Sequence, residues 1–368
     1  MLSVYIHIPF CIRKCNYCDF TSFADCFNEV DNYISALEKE IKLSVESNKI
    51  KGKQVHTIFF GGGTPSTLSI KHIEKILKTI KKYFDVSKNC ETSIEINPAT
   101  KIDFIGLKAL GFNRISIGVQ TFDDKQLSFL GRLHNSNTAE HTILEAKKHF
   151  DNVSIDLMYG FPKQTFKSFE YNVDKAISLE VKHISAYNLI YHEGTKIDTM
   201  IIDGKCSPLS DNLENKMYDM LCSKLIENGY NHYEISNFAK PNYECKHNQN
   251  YWDRGDYIGF GLAAHSTLSE IRFSNTTDLQ IYFLHLEINK VPIFEKEVLT
   301  EENIYVEKIF LGLRSRGINE KLLNKKQFET IKFCIDRDLI AKKDNTYILT
   351  SKSKFISDAI ITTILNDR

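Results

Sequence analysis

The sequence predicts an α/β fold built on a parallel sheet, and two observations carry that prediction. Apolar, strand-length runs recur through the first half of the 368-residue chain, and stretches of helical period separate them. Strand–helix alternation of this kind sets consecutive strands in parallel, joined by right-handed crossovers. Six such units are too few to close an eight-stranded barrel of ~250 residues. The expected architecture is therefore a partial (β/α)6 barrel over residues 1–195. An α+β C-terminal region follows, with an aromatic-rich part over 196–298 and a mostly helical domain over 299–368.

The strand runs are Ser3–Ile8, Val55–Phe60, Thr92–Asn97, Arg114–Val119, Val153–Met158 and His183–Leu189. Val30–Val45 reads as the first helix because Ile34, Leu37 and Ile41 share one face. Ile70–Phe84 follows, with Ile73, Leu77, Ile80 and Phe84 in register. Asp103–Leu110, Thr138–His149 and Phe166–Leu179 complete the alternation. After Thr195 the beat stops. A helix is expected over Asp211–Asn228, ended by Gly229 as its C′ residue. Residues 233–266 read as an irregular, aromatic-rich segment. From about Leu299 helical spacing returns with Val306, Ile309, Phe310 and Leu313, and the tail reads as helix, hairpin, helix, a winged-helix-like module.

Forty-seven basic and 47 acidic residues balance, so no global field draws the chain to nucleic acid or an anionic membrane. A winged-helix-like tail would accordingly pack against protein rather than DNA. No stretch approaches the ~20 apolar residues that span a bilayer. Nine scattered cysteines, an odd number, do not read as a disulfide framework. Only ten residues precede Cys11 and they hold no basic n-region, which leaves no place for a signal peptide. The expected location is the reducing cytoplasm.

Cys11, Cys15 and Cys18 follow the first strand run at C-x3-C-x2-C spacing. Soft thiolates so close on one loop can converge on one metal centre. Zinc normally takes four protein ligands, and no second CxxC or CxxH pair follows nearby. Three cysteines on a [4Fe–4S] cluster leave one iron open to an exchangeable small molecule, as in radical chemistry with S-adenosylmethionine (SAM). A partial zinc site, disulfide formation and simple burial are the competing readings, and the tight spacing argues against burial alone.

Tyr5 to Phe10 before the cysteines, and Asn16 to Phe20 around Cys18, carry a resemblance that extends over nearly the whole chain. They resemble the opening of radical SAM proteins of the oxygen-independent coproporphyrinogen-oxidase-like group, most of all its haem-chaperone branch. The resemblance implies the radical SAM form of the partial barrel, a [4Fe–4S] cluster on Cys11, Cys15 and Cys18, and SAM.

Gly61, Gly62 and Gly63 lie between a strand and a helix, followed by Thr64, Pro65 and Ser66. Consecutive glycines let a backbone approach a ligand closely and present its N–H and C=O groups. No Gly-Lys-Ser/Thr follows, so this is not a phosphate loop. The resemblance implies that Gly62, Gly63 and Thr64 hold the amino-acid end of SAM and that Glu95 accepts its hydroxyls. It also implies Gln120, Arg132 and Asp156 in the same pocket, and Tyr5 as a further cofactor-binding residue. Singly, each is an ordinary polar residue near a strand end; the set and its order are what is specific.

A second informative stretch holds Tyr233–Phe238, Cys245–Trp252 and Asp256–Ser266. A neutral imidazole among flat aromatics suits an iron porphyrin, with histidine as axial ligand and rings as cover. On residue types alone, a hydrogen-bonded core is the stronger reading. The spacing of His247, Asn248, Tyr251 and Trp252 resembles the haem-binding signature of the haem-chaperone branch, which implies His247 as the haem-binding residue. Cys245 and His265 are second candidates. One departure is visible, since Ala263 stands where the group keeps a glycine.

The function these features imply is a haem chaperone, carrying a cluster and SAM, that binds haem and passes it to an acceptor protein. The alternative is an oxygen-independent coproporphyrinogen III oxidase, an enzyme that oxidatively decarboxylates propionate side chains. Those oxidases resemble C-x3-C-x2-C-x-C with a sizeable segment ahead of it. Here Phe20 holds the fourth place and ten residues precede Cys11, and both favour the chaperone.

Overall fold

The structure is a computed structural model that describes residues 2–367. Its first strand, β1 (Leu2–Ile8), is buried along nearly its whole length, as a parallel strand covered on both faces must be. The two-residue strands β2 (Phe10–Cys11) and β3 (Phe23–Ala24) then pair in parallel and tie together the two ends of the cysteine loop. Next come β4 (Gln54–Gly62), β5 (Asp85–Ile96), β6 (Arg114–Gln120), β7 (Asn152–Tyr159) and β8 (His183–Asn188). With β1 these form six consecutive parallel strands in sequence order, the expected partial barrel.

The crossovers are α1 (Val30–Ser47), α2 (Ile70–Tyr83), α3 (Phe104–Leu110), α4 (Asp124–Leu130), α5 (Ser136–His149) and α6 (Phe166–Ser178). Helix α1 buries Ile34, Leu37 and Ile41, and α2 buries Ile73, Leu77 and Ile80, so the helical period sets the buried face. Side-chain caps fix the starts: Ser69 accepts from the His72 amide, and Thr165 and Ser168 form a capping box on α6. Helix α4 is an addition to the expected pattern. Asp123 caps it, and Gly131 ends it in the left-handed region at φ 77°, which delivers Arg132 to the barrel mouth.

Beyond β8 the chain runs through α7 (Lys196–Ile202) and α8 (Asp211–Glu227), with Gly229 at φ 75° past the end of α8. Short strands β9 (Asn231–His232) and β10 (Asn237–Ala239) extend the sheet antiparallel beyond β8. Helix α9 (Lys246–Trp252) then leads to β11 (Tyr257–Phe260), which pairs in parallel with β1 on the opposite edge. Strands β12 (His265–Leu268), β13 (Ile271–Asn275) and β14 (Ile293–Val298) continue that edge antiparallel, with α10 (Leu279–Glu287) inserted before β14. Residues 233–266, expected to be irregular, thus hold two sheet strands, a helix and the start of a third strand. The elements are short enough that their apolar period is hidden. One buried apolar cluster runs from Leu2 to Leu286.

The C-terminal part holds α11 (Glu301–Leu313), β15 (Ile318–Asn319), α12 (Lys325–Ile335), β16 (Ile340–Lys343), β17 (Thr346–Leu349) and α13 (Ser357–Asn366). Its antiparallel sheet has the order β15-β17-β16, and Ile309, Leu313, Ile331, Tyr347 and Ile361 share a second apolar core. The buried Lys354 ammonium donates to the His232 carbonyl at 3.0 Å and fastens this part to the sheet edge. No helix among the described residues is long and apolar enough to cross a membrane.

Candidate functional site

The C-terminal ends of the parallel strands open on a cavity of about 410 Å3. Cys11, Cys15, Cys18, Gly62, Gly63, Thr64, Glu95, Gln120, Arg132 and Asp156 all line it. Residues separated by up to 145 positions of sequence thus line one space, Cys11 together with Asp156. Tyr5 and His247 lie outside it and line a neighbouring cavity of about 200 Å3.

Cys11 ends β2, only 8% exposed, with its Sγ 3.3 Å from the Thr64 hydroxyl. Cys18 donates its amide to the Cys15 carbonyl at 3.3 Å, which turns both thiols inward, and the Arg132 guanidinium donates to Cys15 Sγ at 3.5 Å. Burial pushes the Cys11 thiol up and the Cys18 thiol up to about 11. Iron held by these three cysteines would take them as thiolates, since a coordinated thiol is deprotonated. Among the described residues no three His, Cys, Asp or Glu side chains are gathered tightly enough to hold one metal ion. The three thiols rim a cavity instead, and a multi-iron cluster, wider than one ion and fond of soft sulfur ligands, fits that arrangement.

Gly63 explains the glycine run. Its amide donates to the Ile8 carbonyl at 2.8 Å, and a Cβ there would lie 2.8 Å from that oxygen and 3.1 Å from Cys11 Sγ. Gly62 sits at φ 105°, where a Cβ would strike the His7 ring. The Gly62 amide donates to Glu95 at 3.2 Å. Removal from water, with the nearby Asp156 second, pushes the Glu95 carboxyl up to about 8. Asp156 is likewise raised by burial; Ser116 donates to it at 3.2 Å, and the charge of Arg114 opposes the shift. Gln120 adopts φ 68° where the pairing of β6 with β7 slips, and a strained polar residue at a strand end is common at ligand sites. Arg132 donates to the Gly118 carbonyl at 2.6 Å, while its Nε is buried and unpartnered.

Sequence reasoning passed over Arg114, which is 2% exposed and whose charge reaches Glu91 and Asp156. The signal was present, an arginine opening an otherwise apolar strand. Tyr187 was also missed; it lines this cavity and the smaller one beside His247.

The structure gives His247 partners that differ from those of an open ligand. It is 1% exposed and stacks on Phe59 at 5.1 Å. Thr57 gives its hydroxyl proton to Ser3 at 2.8 Å, so His247 Nδ1, 2.7 Å away, is the donor to Thr57. Nε2 then accepts from the Tyr251 hydroxyl at 2.8 Å. The lone pair that an iron would need is thereby occupied. Burial, with Arg114 second, lowers this histidine to about 3 and keeps it neutral. Cys245 is also fully buried, between Glu91 and Tyr233. Ala263 adopts φ 57°, the conformation that the glycine expected there takes without strain.

A half barrel whose strand ends converge on three cysteines defines a radical SAM protein, and the sequence pattern of the Radical SAM superfamily matches residues 5–176. The fold is similar to that of the radical SAM enzyme coproporphyrinogen III oxidase (HemN) from Escherichia coli. The TM-score is 0.84 at 22% identity, over 99% of this chain and 89% of that one. The heme chaperone HemW of Bacillus subtilis (strain 168) is 34% identical over 382 residues, covering 100% of both chains. That of Lactococcus lactis is 36% identical over 88% of this chain and 84% of its own, and that of Mycobacterium tuberculosis 30% over 99% and 94%. The chain belongs to the HemW family. With radical SAM membership come the [4Fe–4S] cluster and SAM expected from the cysteine spacing.

Proposed function

We propose that this chain is a haem chaperone, which binds haem and delivers it to an acceptor protein. Its kinship with proteins named as heme chaperones, sustained from end to end of both chains, is the observation that carries the reading. In this reading Cys11, Cys15 and Cys18 hold three irons of the cluster. Gly62, Gly63 and Thr64 meet the amino-acid end of SAM with backbone and hydroxyl groups. Glu95 bonds its hydroxyls, and Gln120, Arg132 and Asp156 close the pocket. The cluster and SAM supply one-electron chemistry when bound. The chain would orient them at the strand ends.

The same fold serves an oxidase, so architecture does not separate the two functions. Phe20 does bear on it: it lines the cluster cavity, 58% exposed, at the place where the oxidase pattern carries its fourth cysteine. The test is anaerobic reconstitution followed by incubation with coproporphyrinogen III, SAM and a reductant. The substrate should be recovered unchanged, and protoporphyrinogen in the product would return the chain to the oxidases.

A further inference from the structure

Haem is the cargo of this reading, and the structure holds a more suitable place for it than the His247 niche. Beside the cluster cavity lies a larger one of about 660 Å3, which shares Asp19, Phe20, Gly62 and Glu95 with it. Ligand pockets span roughly 300–1,000 Å3. The larger cavity falls within that range, and the one beside His247, about 200 Å3, falls below it. Its walls come from the cysteine loop, the end of α9, the sheet edge β11–β13 and helix α11.

Three chemical features of this cavity match an iron porphyrin. His265, at the start of β12, lines it and is exposed, and among the described residues nothing bonds to its imidazole. Tyr251 and Tyr257 pack edge to face at 4.6 Å and give an aromatic wall. Arg254 and Arg272 bring two guanidinium groups to one end, and both pair with Glu307, Arg254 through Nε at 2.8 Å. Arg272 also reaches Glu297, at 3.3 Å. A guanidinium has five N–H donors, so donors remain at both arginines for the two propionates of haem. The Asp19 carboxylate lies on the shared wall, where its charge would turn propionates away.

From this arrangement we infer that haem occupies the larger cavity with His265 as its axial ligand and its propionates at Arg254 and Arg272. The inference rests on the haem-chaperone reading and changes its ligand: His247, through Tyr251, positions the wall. Phe20 then stands between cargo and cluster.

The experiment is a haem titration of reconstituted protein followed by absorbance, with thermal midpoints measured on the same samples. In His265→Ala the haem spectrum changes and affinity falls at least about tenfold, the scale of a lost contact at a metal site. Added imidazole restores the spectrum by filling the vacated position. Arg272→Gln weakens binding and leaves the spectrum in place. His247→Ala lowers the midpoint while the folded fraction keeps the wild-type spectrum. A wild-type spectrum in His265→Ala, or a changed one in folded His247→Ala, overturns the assignment while the chaperone reading stands. Failure of the wild type to bind haem overturns both, and is read before any variant.

Discussion

Cys11, Cys15 and Cys18 face the cluster cavity, whereas Cys26 lies outside it, packed against the apolar core. Replacing the first three with alanine should remove the cluster, and Cys26→Ala should keep it. Iron and sulfide analysis after reconstitution checks this, and unaltered iron in the triple variant would contradict the ligand set. Glu95 supports a second prediction. Its folded-state value of about 8 stands above the ordinary 4.5, so the folded chain binds this proton more tightly than the unfolded one. The resulting stability is fully present below about pH 4.5 and lost as pH rises through about 8. Glu40, raised to about 7 by burial, acts in the same direction. Each tenfold gain in proton affinity is worth about 1.4 kcal/mol, which bounds from above what Glu95 adds across that window. Glu95→Gln should therefore flatten the fall in thermal midpoint of the cofactor-free protein between pH 4.5 and 8. An unchanged slope would show that the carboxyl ionises normally. His247 shows what a local pattern conceals: its partners Thr57 and Glu91 lie 190 and 156 residues away.

The six barrel strands were legible because each is a short apolar or alternating run set between helical stretches, and the expected limits fall close to the observed ones except in β5. That strand begins earlier, at Asp85, through a polar stretch that reads as loop. Strands β9 to β12 were not legible. They are two to four residues long, and β11 sits beside β1 across more than 240 residues of chain, a pairing that no local period reveals. The junction of β1 and β4 is where the cluster site depends most on element packing. Gly63→Ala would push a methyl against the Ile8 carbonyl and Cys11 Sγ, both fixed by the sheet. The strand ends must part by several tenths of an ångström, so SAM affinity and cluster content should both fall while the sheet survives. Titration of SAM into reconstituted Gly63→Ala measures it, and wild-type affinity would mean that the loop yields without cost.

At the scale of the molecule, one sheet carries two functions side by side. Its parallel centre presents the residues proposed for the cluster and SAM, and its antiparallel edge, covered by α11, encloses the larger cavity. Phe20 and Glu95 belong to both spaces, so a cargo in one is a wall of the other. For the cluster half, the cysteine spacing pointed to a metal centre, and the resemblance supplied the part of the glycine run. Of the cargo half, His265 was visible only as a second candidate, and the cavity around it was not, because its walls are drawn from β1, α9, β12 and α11. The central claim is that this chain carries haem, and the most direct measurement is haem titration of the reconstituted protein followed by absorbance. The account predicts a saturable ferric haem spectrum that ends at one haem per chain. A featureless, non-saturating rise, equal to that of haem in buffer, would contradict it.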